Sequence, residues 1–287
     1  MPRQVPVLDL LLPPDPEDLA DAISTALHDL EPAAVHELED HGVPLWRVFF
    51  RSQDGRAAAQ AMLSQQFAAR GLRVAPGEVE DDDWAARSQA ALTHIRVGHV
   101  VVAPPWDVPP IASGDTLVII KPSMGFGTGH HETTRLCLEC IQRVDCRGLD
   151  VIDVGTGSGI LGIAAAKRGA RHVVAIDNDP DAIASARENV ALNVEQQPDM
   201  SRRIRVILGT LEGPRPAAHI VLANLTAAAL TRHADALVSQ TSENGRLILS
   251  GFVDQETDAV VNAFANATRC EALTSEGEWR AVLLLRA

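Results

Sequence analysis

The 287-residue sequence predicts an α/β fold: a mostly parallel sheet with helices on both faces, closed by an antiparallel edge hairpin and preceded by a small α+β domain. Three observations predict it. From Leu149 onward, β-branched apolar runs alternate with helical spacings, and that alternation builds a parallel sheet covered on both faces. The last two runs are joined only by Ser275-Glu-Gly-Glu278, too short for a crossover, so they form a hairpin. The first 80 residues read β-α-β-β-α-β, the order of a ferredoxin-like sandwich. The larger sheet is therefore Rossmann-like.

Taken in order, VPVLDLLL (5–12) is strand-like, and DPEDLADAISTALHDL (15–30) is helical, with Asp15 placed to cap it and Pro16 in its first turn. AAVHELED and PLWRVFFRS read as a strand pair around His41-Gly42. GRAAAQAMLSQQFAARG is a second helix stopped by Gly71, and LRVAPGEVE a fourth strand. EDDDWAARSQAALTHI has the acidic start and spacing of a connecting helix. Five prolines between Pro104 and Pro122 then stiffen the approach to the second domain. The expected organisation is 1–80, a connecting helix over 81–98, and a second domain over 99–287. Within that domain the expected strands are 149–154, 172–177, 204–208, 219–223 and 246–250, then the hairpin 268–274 and 279–286. The expected helices are 158–168, 180–193, 225–240 and 254–266.

Composition narrows the function. Hydrophobic residues make up 46%, too many for a disordered chain. No apolar run approaches the roughly 18 residues of a membrane span. Acids follow Leu8–Leu12 where a signal peptide would need a cleavage site, so a cytoplasmic enzyme is expected, with no membrane partner. Net charge is −13, and residues 1–90 alone hold 16 acidic against 7 basic residues. Such a surface repels phosphate backbones and attracts basic partners, or simply keeps the protein soluble; direct nucleic-acid binding is not expected. Cys137 and Cys140 form a CxxC, but TTRLCLECIQRV reads as an amphipathic helix on which they share a buried face. Cys146 and Cys270 supply no second pair, so no metal site is expected.

The loop after the first strand of the larger sheet reads Gly155-Thr-Gly157-Ser-Gly159. A dinucleotide fingerprint needs G-x-G-x-x-G, and Ile160 stands where its third glycine belongs. A triphosphate loop is absent as well. G-x-G-x-G after VIDV suits a ligand without pyrophosphate, and S-adenosylmethionine is one. Asp177 ends the next strand, where a carboxylate can grip both ribose hydroxyls. Asp179, followed by Pro180, is the better helix cap. Asp153 either binds the ligand's ammonium or braces the loop.

KPSMGFGTGHHETTRLC precedes the sheet. Its glycines 125, 127 and 129 let the loop bend, and Phe126 offers a flat apolar face. Thr133 and Thr134 open a helix; their hydroxyls either bond the cofactor's carboxylate or cap that helix. Asn224, in VLANLT at the end of the fourth strand, either accepts an N–H from an incoming amine or caps the helix after it.

Together, GFGTGHHETT, VIDVGTGSGILGIAAAKRGA, AIDNDPDAI, ANLT and EGEWRAVLLL resemble the class I methyltransferase family that modifies large-subunit ribosomal protein L11. The likeness spans roughly residues 80–287; the first 80 residues match only in topology, that of the family's small substrate-recognition domain. The resemblance implies S-adenosylmethionine as cofactor, with Thr134 at its methionine part, Gly155, Gly157 and Gly159 at the backbone approach, Asp177 on the ribose and Phe126 packed nearby. Asn224 would lie between cofactor and amine. Family members often carry isoleucine and then leucine or tyrosine after the asparagine, where this chain has Leu225 and Thr226.

The implied reaction moves a methyl to lysine ε-amines or an N-terminal α-amine of a basic ribosomal protein. His130 and His131 are candidates for proton removal, or are merely positional. Other N-methyltransferases, acting on another protein, a small molecule or a nucleic acid, are the nearest alternative. Base-amine enzymes carry N-P-P-[FY] at the fourth strand, which NLTA lacks. A non-catalytic protein that kept the fold is a different class, distinguished by cofactor binding.

Overall fold

The computed structural model describes residues 4–13, 19, 22–23, 26–27, 30, 32–40, 43–80, 92–122, 129–211 and 216–287. Chain contacts divide it into two units, 1–91 and 92–287. Asp15, Pro16, His41-Gly42, residues 81–91 and the loop around Phe126 lie outside the described residues.

In the first unit, β1 (Gln4–Leu11), β2 (Ala34–Asp40), β3 (Val43–Phe49) and β4 (Arg73–Glu80) pair antiparallel in the order β2-β3-β1-β4. That is the ferredoxin-like order. Leu19, Ile23 and Leu27 recur every fourth residue, are helical, and pack with Leu10 and Val48 of the sheet. Helix α1 (Gln53–Phe67) starts where Ser52 Oγ accepts the Gly55 N–H, and adds Leu63 and Phe67 to the same core. Asp9 and Arg47, opposite each other in register, join in a two-bonded ion pair of 2.6 and 2.7 Å.

The second unit opens with a three-stranded sheet the sequence did not announce: β5 (Ile95–Val97), β6 (Val100–Ala103) and β7 (Thr116–Ile119). The helical reading of 81–98 is corrected at its end, where Ile95–Val97 pair with β6 as a strand. Pro104 and Pro105 follow β6 directly and can donate nothing to a ladder, so the strand stops there.

The main sheet has seven strands: β8 (Asp150–Val154), β9 (His172–Asp177), β10 (Ile204–Leu208), β11 (Ala218–Asn224), β12 (Thr241–Val253), β13 (Thr268–Glu276) and β14 (Trp279–Arg286). Their order is β10-β9-β8-β11-β12-β14-β13. The first five are mutually parallel, and β14 runs antiparallel to both neighbours. The expected hairpin is therefore at the edge, but its reversed member is the inner strand. Helices α2 (Glu132–Gln142), α3 (Ile160–Lys167), α4 (Pro180–Gln196), α5 (Ala227–Arg232), α6 (Ala234–Ser239) and α7 (Thr257–Phe264) complete the unit. The helix expected over 225–240 is two, meeting at His233. The strand expected at 246–250 runs from 241 to 253, because an irregular register near Asn244, at φ 58°, carries the pairing back to Thr241.

Side-chain alternation decides what meets what. Val151, Val173, Ile220 and Leu222 pack into one core with α2 and α3, whereas Ile152, Val154, Val221 and Ala223 pack into the other. Counting by twos, Asp153, Asp177 and Asn224 all fall on the α2–α3 side. Cys137 and Cys140 are fully buried in that core, and burial pushes both thiols up, Cys137 well above the ordinary range. No helix among the described residues is long and apolar enough to cross a membrane.

Candidate active site

The carboxyl ends of β8, β9 and β11 converge on the glycine loop and the start of α2. Gly155, Gly157 and Gly159 have φ of 64°, 52° and 85°, the left-handed region that disfavours other residues. At Gly155 sterics add to this, since a Cβ would overlap the δ-methyl of Leu225, the residue after Asn224. Leu225 is itself pinned, its N–H donating to Ser250 O at 2.9 Å.

The two aspartates have separate tasks. Asp153 is 1% exposed, and its Oδ2 accepts from Thr156 Oγ1 at 2.6 Å and from the Gly162 N–H at 2.9 Å. It thus ties the strand end to both sides of the loop. Burial pushes its carboxyl up to about 6, with the neighbouring Asp177 charge adding to the effect. Asp177 is half-buried. Its Oδ2 accepts the Gly157 N–H at 2.9 Å and its Oδ1 the Asp179 N–H at 3.0 Å. A carboxylate offers about four acceptor positions, so each oxygen retains capacity. Asp179 caps α4 through the Asp181 N–H at 2.9 Å, ahead of Pro180.

Asn224 and the two threonines meet across the sheet. Asn224 Nδ2 donates to Thr133 Oγ1 at 3.2 Å and to Thr134 Oγ1 at 3.4 Å. Both threonines are 1% exposed. The caps that were the alternative reading of these residues are not formed. His131 caps α2, its Nδ1 accepting the Thr133 N–H, and Thr226 caps α5, its Oγ1 accepting the Ala229 N–H. Asn224 Oδ1 is left buried without a partner among the described residues. An unmatched buried acceptor is destabilising by about 1–3 kcal/mol. His130 lies aside, its Nε2 donating to Thr93 O at 3.1 Å.

Sequence reasoning missed a second set of asparagines. Asn189 and Asn193 of α4 are buried, and they reach in two directions. Asn189 accepts the Lys121 N–H at 2.8 Å and donates to Ser158 O of the glycine loop at 2.9 Å. Asn193 exchanges bonds with Ile119 at 2.9 and 2.6 Å. They fasten the chain leaving β7 to the loop. A signal existed: Ile183, Ala186, Val190 and Val194 mark the apolar stripe of α4, and both asparagines fall within it. On the far side, Arg135 of α2 binds Glu276 of β13 at 2.6 Å, and Trp279 of β14 packs edge-on against the His131 ring at 4.9 Å.

Comparison with known proteins identifies relatives of one family. Residues 20–286 match the family described as Ribosomal protein L11 methyltransferase (PrmA). A protein of that name from Pelobacter propionicus is 33% identical over 305 residues, covering 95% of both chains. Another, from Geobacter metallireducens, is 39% identical over 207 residues, covering 71% of this chain and 67% of that one. Among solved structures, a ribosomal protein L11 methylase from Lactobacillus delbrueckii subsp. bulgaricus superposes with a TM-score of 0.60 at 30% identity, covering 68% of this chain and 98% of that one.

Proposed function

The chain belongs to the ribosomal protein L11 methyltransferase family, whose methyl donor is S-adenosylmethionine, and from that premise we propose that it methylates amines of ribosomal protein L11: lysine ε-amines, an N-terminal α-amine, or both. The observation that carries this reading is the buried, unmatched Oδ1 of Asn224, an acceptor suited to an amine N–H.

The residues present fit the donor molecule. Asp177 keeps lone pairs for two ribose hydroxyls while its backbone bonds hold the carboxylate still. The loop glycines expose backbone where side chains would stand. Thr134, accepting from Asn224, has its own hydroxyl proton left to donate to a carboxylate such as that of the methionine part. Phe126 is assigned to pack near the cofactor. When bound, S-adenosylmethionine supplies a methyl on a positively charged sulfur.

This chain's residues then have two tasks. The first is to hold the amine neutral. A free lysine with pKa near 10.4 is neutral in roughly one molecule per thousand at pH 7.4, a deficit of about 4 kcal/mol. A site that excludes water disfavours the ammonium form and offsets part of this. The second is aim. Asn224 Oδ1, accepting one N–H, turns the nitrogen lone pair toward the methyl, and such orientation supplies much of the remaining acceleration. No obligatory general base is assigned.

Residues 1–80 are assigned to substrate recognition, 81–98 to the connection and 99–287 to transfer. The acidic first third suits a basic protein substrate and opposes nucleic acid, and the reaction belongs in the cytoplasm. The test is incubation with labelled S-adenosylmethionine and purified L11, followed by mass spectrometry of the labelled residues. Label on L11 amines is expected. Cofactor binding by calorimetry without label on L11 would overturn the substrate assignment.

A further inference from the structure

We propose that His131 is a positioning residue that sets which end of the Asn224 carboxamide faces the reacting amine, and that protonating its ring reverses that orientation. The inference rests on the methyl-transfer reading above. Its foundation is a chain of hydrogen bonds whose directions follow once His131 Nδ1 carries a lone pair. A backbone N–H can only donate, so the Thr133 N–H at 3.3 Å requires a lone pair on His131 Nδ1. Thr133 Oγ1, closer at 2.9 Å, shares that lone pair and gives its single proton to it. Having spent that proton, the hydroxyl offers Asn224 only lone pairs. Only the amide NH₂ can meet them, and the observed Nδ2–Oγ1 distance is 3.2 Å. The carbonyl end is thereby turned away from the threonines, into the position where it has no partner.

A protonated ring breaks the bond from the Thr133 N–H and inverts the remaining steps. Nδ1 becomes a donor, the Thr133 hydroxyl proton is released, and the carbonyl of Asn224 becomes its better partner. The NH₂ end then occupies the place of the acceptor and cannot receive an amine N–H. Among the described residues, the charged groups near the ring include Glu132 beside it (3.9 Å), Arg135 one turn on, and Glu276 of β13, which holds Arg135. The Trp279 ring of β14 covers one edge. Burial lowers the imidazole's pKa from 6.5, Glu132 opposing the shift and Arg135 adding to it, so the ring is neutral at pH 7.

The test needs no bound ligand. In ¹⁵N-labelled protein titrated from pH 8 to 5, the Asn224 side-chain amide signals should move with the same midpoint as the His131 ring, below 6.5. In His131→Asn, whose Oδ1 replaces the Nδ1 acceptor and keeps the helix cap, the component with that midpoint should be absent, leaving only shifts that follow Asp153. Amide signals that ignore the ring's titration would overturn the proposal. A second readout is the ratio of wild-type to His131→Asn turnover on L11. The amine's own titration is common to both proteins and cancels. The ratio should be flat above pH 7 and fall about tenfold per pH unit below the midpoint. A ratio that stays constant through the ring's own measured midpoint would equally overturn it. Absence of methyl transfer from either protein would refute the substrate reading instead, and the amide titration would still decide the role of His131.

Discussion

The two ends of the same three strands make opposite use of their polar residues. At the amino end of β8, Asp150 takes bonds from Arg171 Nε at 3.0 Å and from His172 Nδ1 at 3.0 Å, and its N–H donates to His219 at 3.2 Å. The cluster faces solvent and is matched within itself. At the carboxyl end the polar groups are buried or half-buried, and matching stops short. Asp153 is spent on the loop, Asp177 keeps spare lone pairs, and Asn224 Oδ1 has no partner among the described residues. A count of charges would favour the amino end as a site. On the proposed reading, the unspent capacity at the carboxyl end is what a ligand would use, whereas a fully paired surface cluster contributes little even to stability.

The largest test of this contrast is Asp177→Ala. It removes the proposed ribose grip and also orphans the Gly157 and Asp179 N–H groups. Affinity for S-adenosylmethionine should fall roughly a thousandfold, about 4 kcal/mol, by calorimetry. Unchanged affinity would take Asp177 out of the site. Next is Asn224→Ala, which should leave cofactor affinity within about threefold and lower turnover between about a hundredfold and a thousandfold in a single-turnover assay. Full activity would reduce the unmatched oxygen to an accident of packing.

Asp153 sharpens the comparison through pH. Its carboxyl titrates near 6 when folded and at 3.8 when free, so the folded state holds the proton longer. The stability this contributes is complete below pH 3.8 and is lost as pH rises through 6, a decline of about 3 kcal/mol. In Asp153→Asn, urea midpoints measured from pH 4 to 7 should lack that decline; an identical slope in both proteins would mean the buried acid does not titrate there. The smallest effect belongs to the amino end. Asp150→Ala should keep turnover and cofactor affinity within about twofold and lower Tm by less than about 4 °C. A large loss of activity would erase the distinction between the two ends.

Much of this was legible in the chain. Strand–helix alternation, a hairpin forced by a short linker, the glycine spacing and an acid at the next strand end are all local signals. The partners of Asn224 were not, because its meeting with Thr133 and Thr134 depends on strand parity and on a helix about 90 residues earlier. The sequence left capping open for Thr133, Thr134 and Asn224, and the caps fall to neighbours instead, His131 at α2 and Thr226 at α5. Strands β5 to β7 escaped notice because three or four residues are too few to reveal a period.

The order of the hairpin strands sets a dependency in assembly. In the sheet, β13 pairs with β14 alone, although it is synthesised first. Any partly folded form lacking β14 would therefore leave β13 without its ladder, held to α2 only by side chains such as Thr274 against Cys140 and Glu276 on Arg135. On the proposed reading, the helix that His131 begins is thus braced by the last strand to be made, long after the glycine loop is complete.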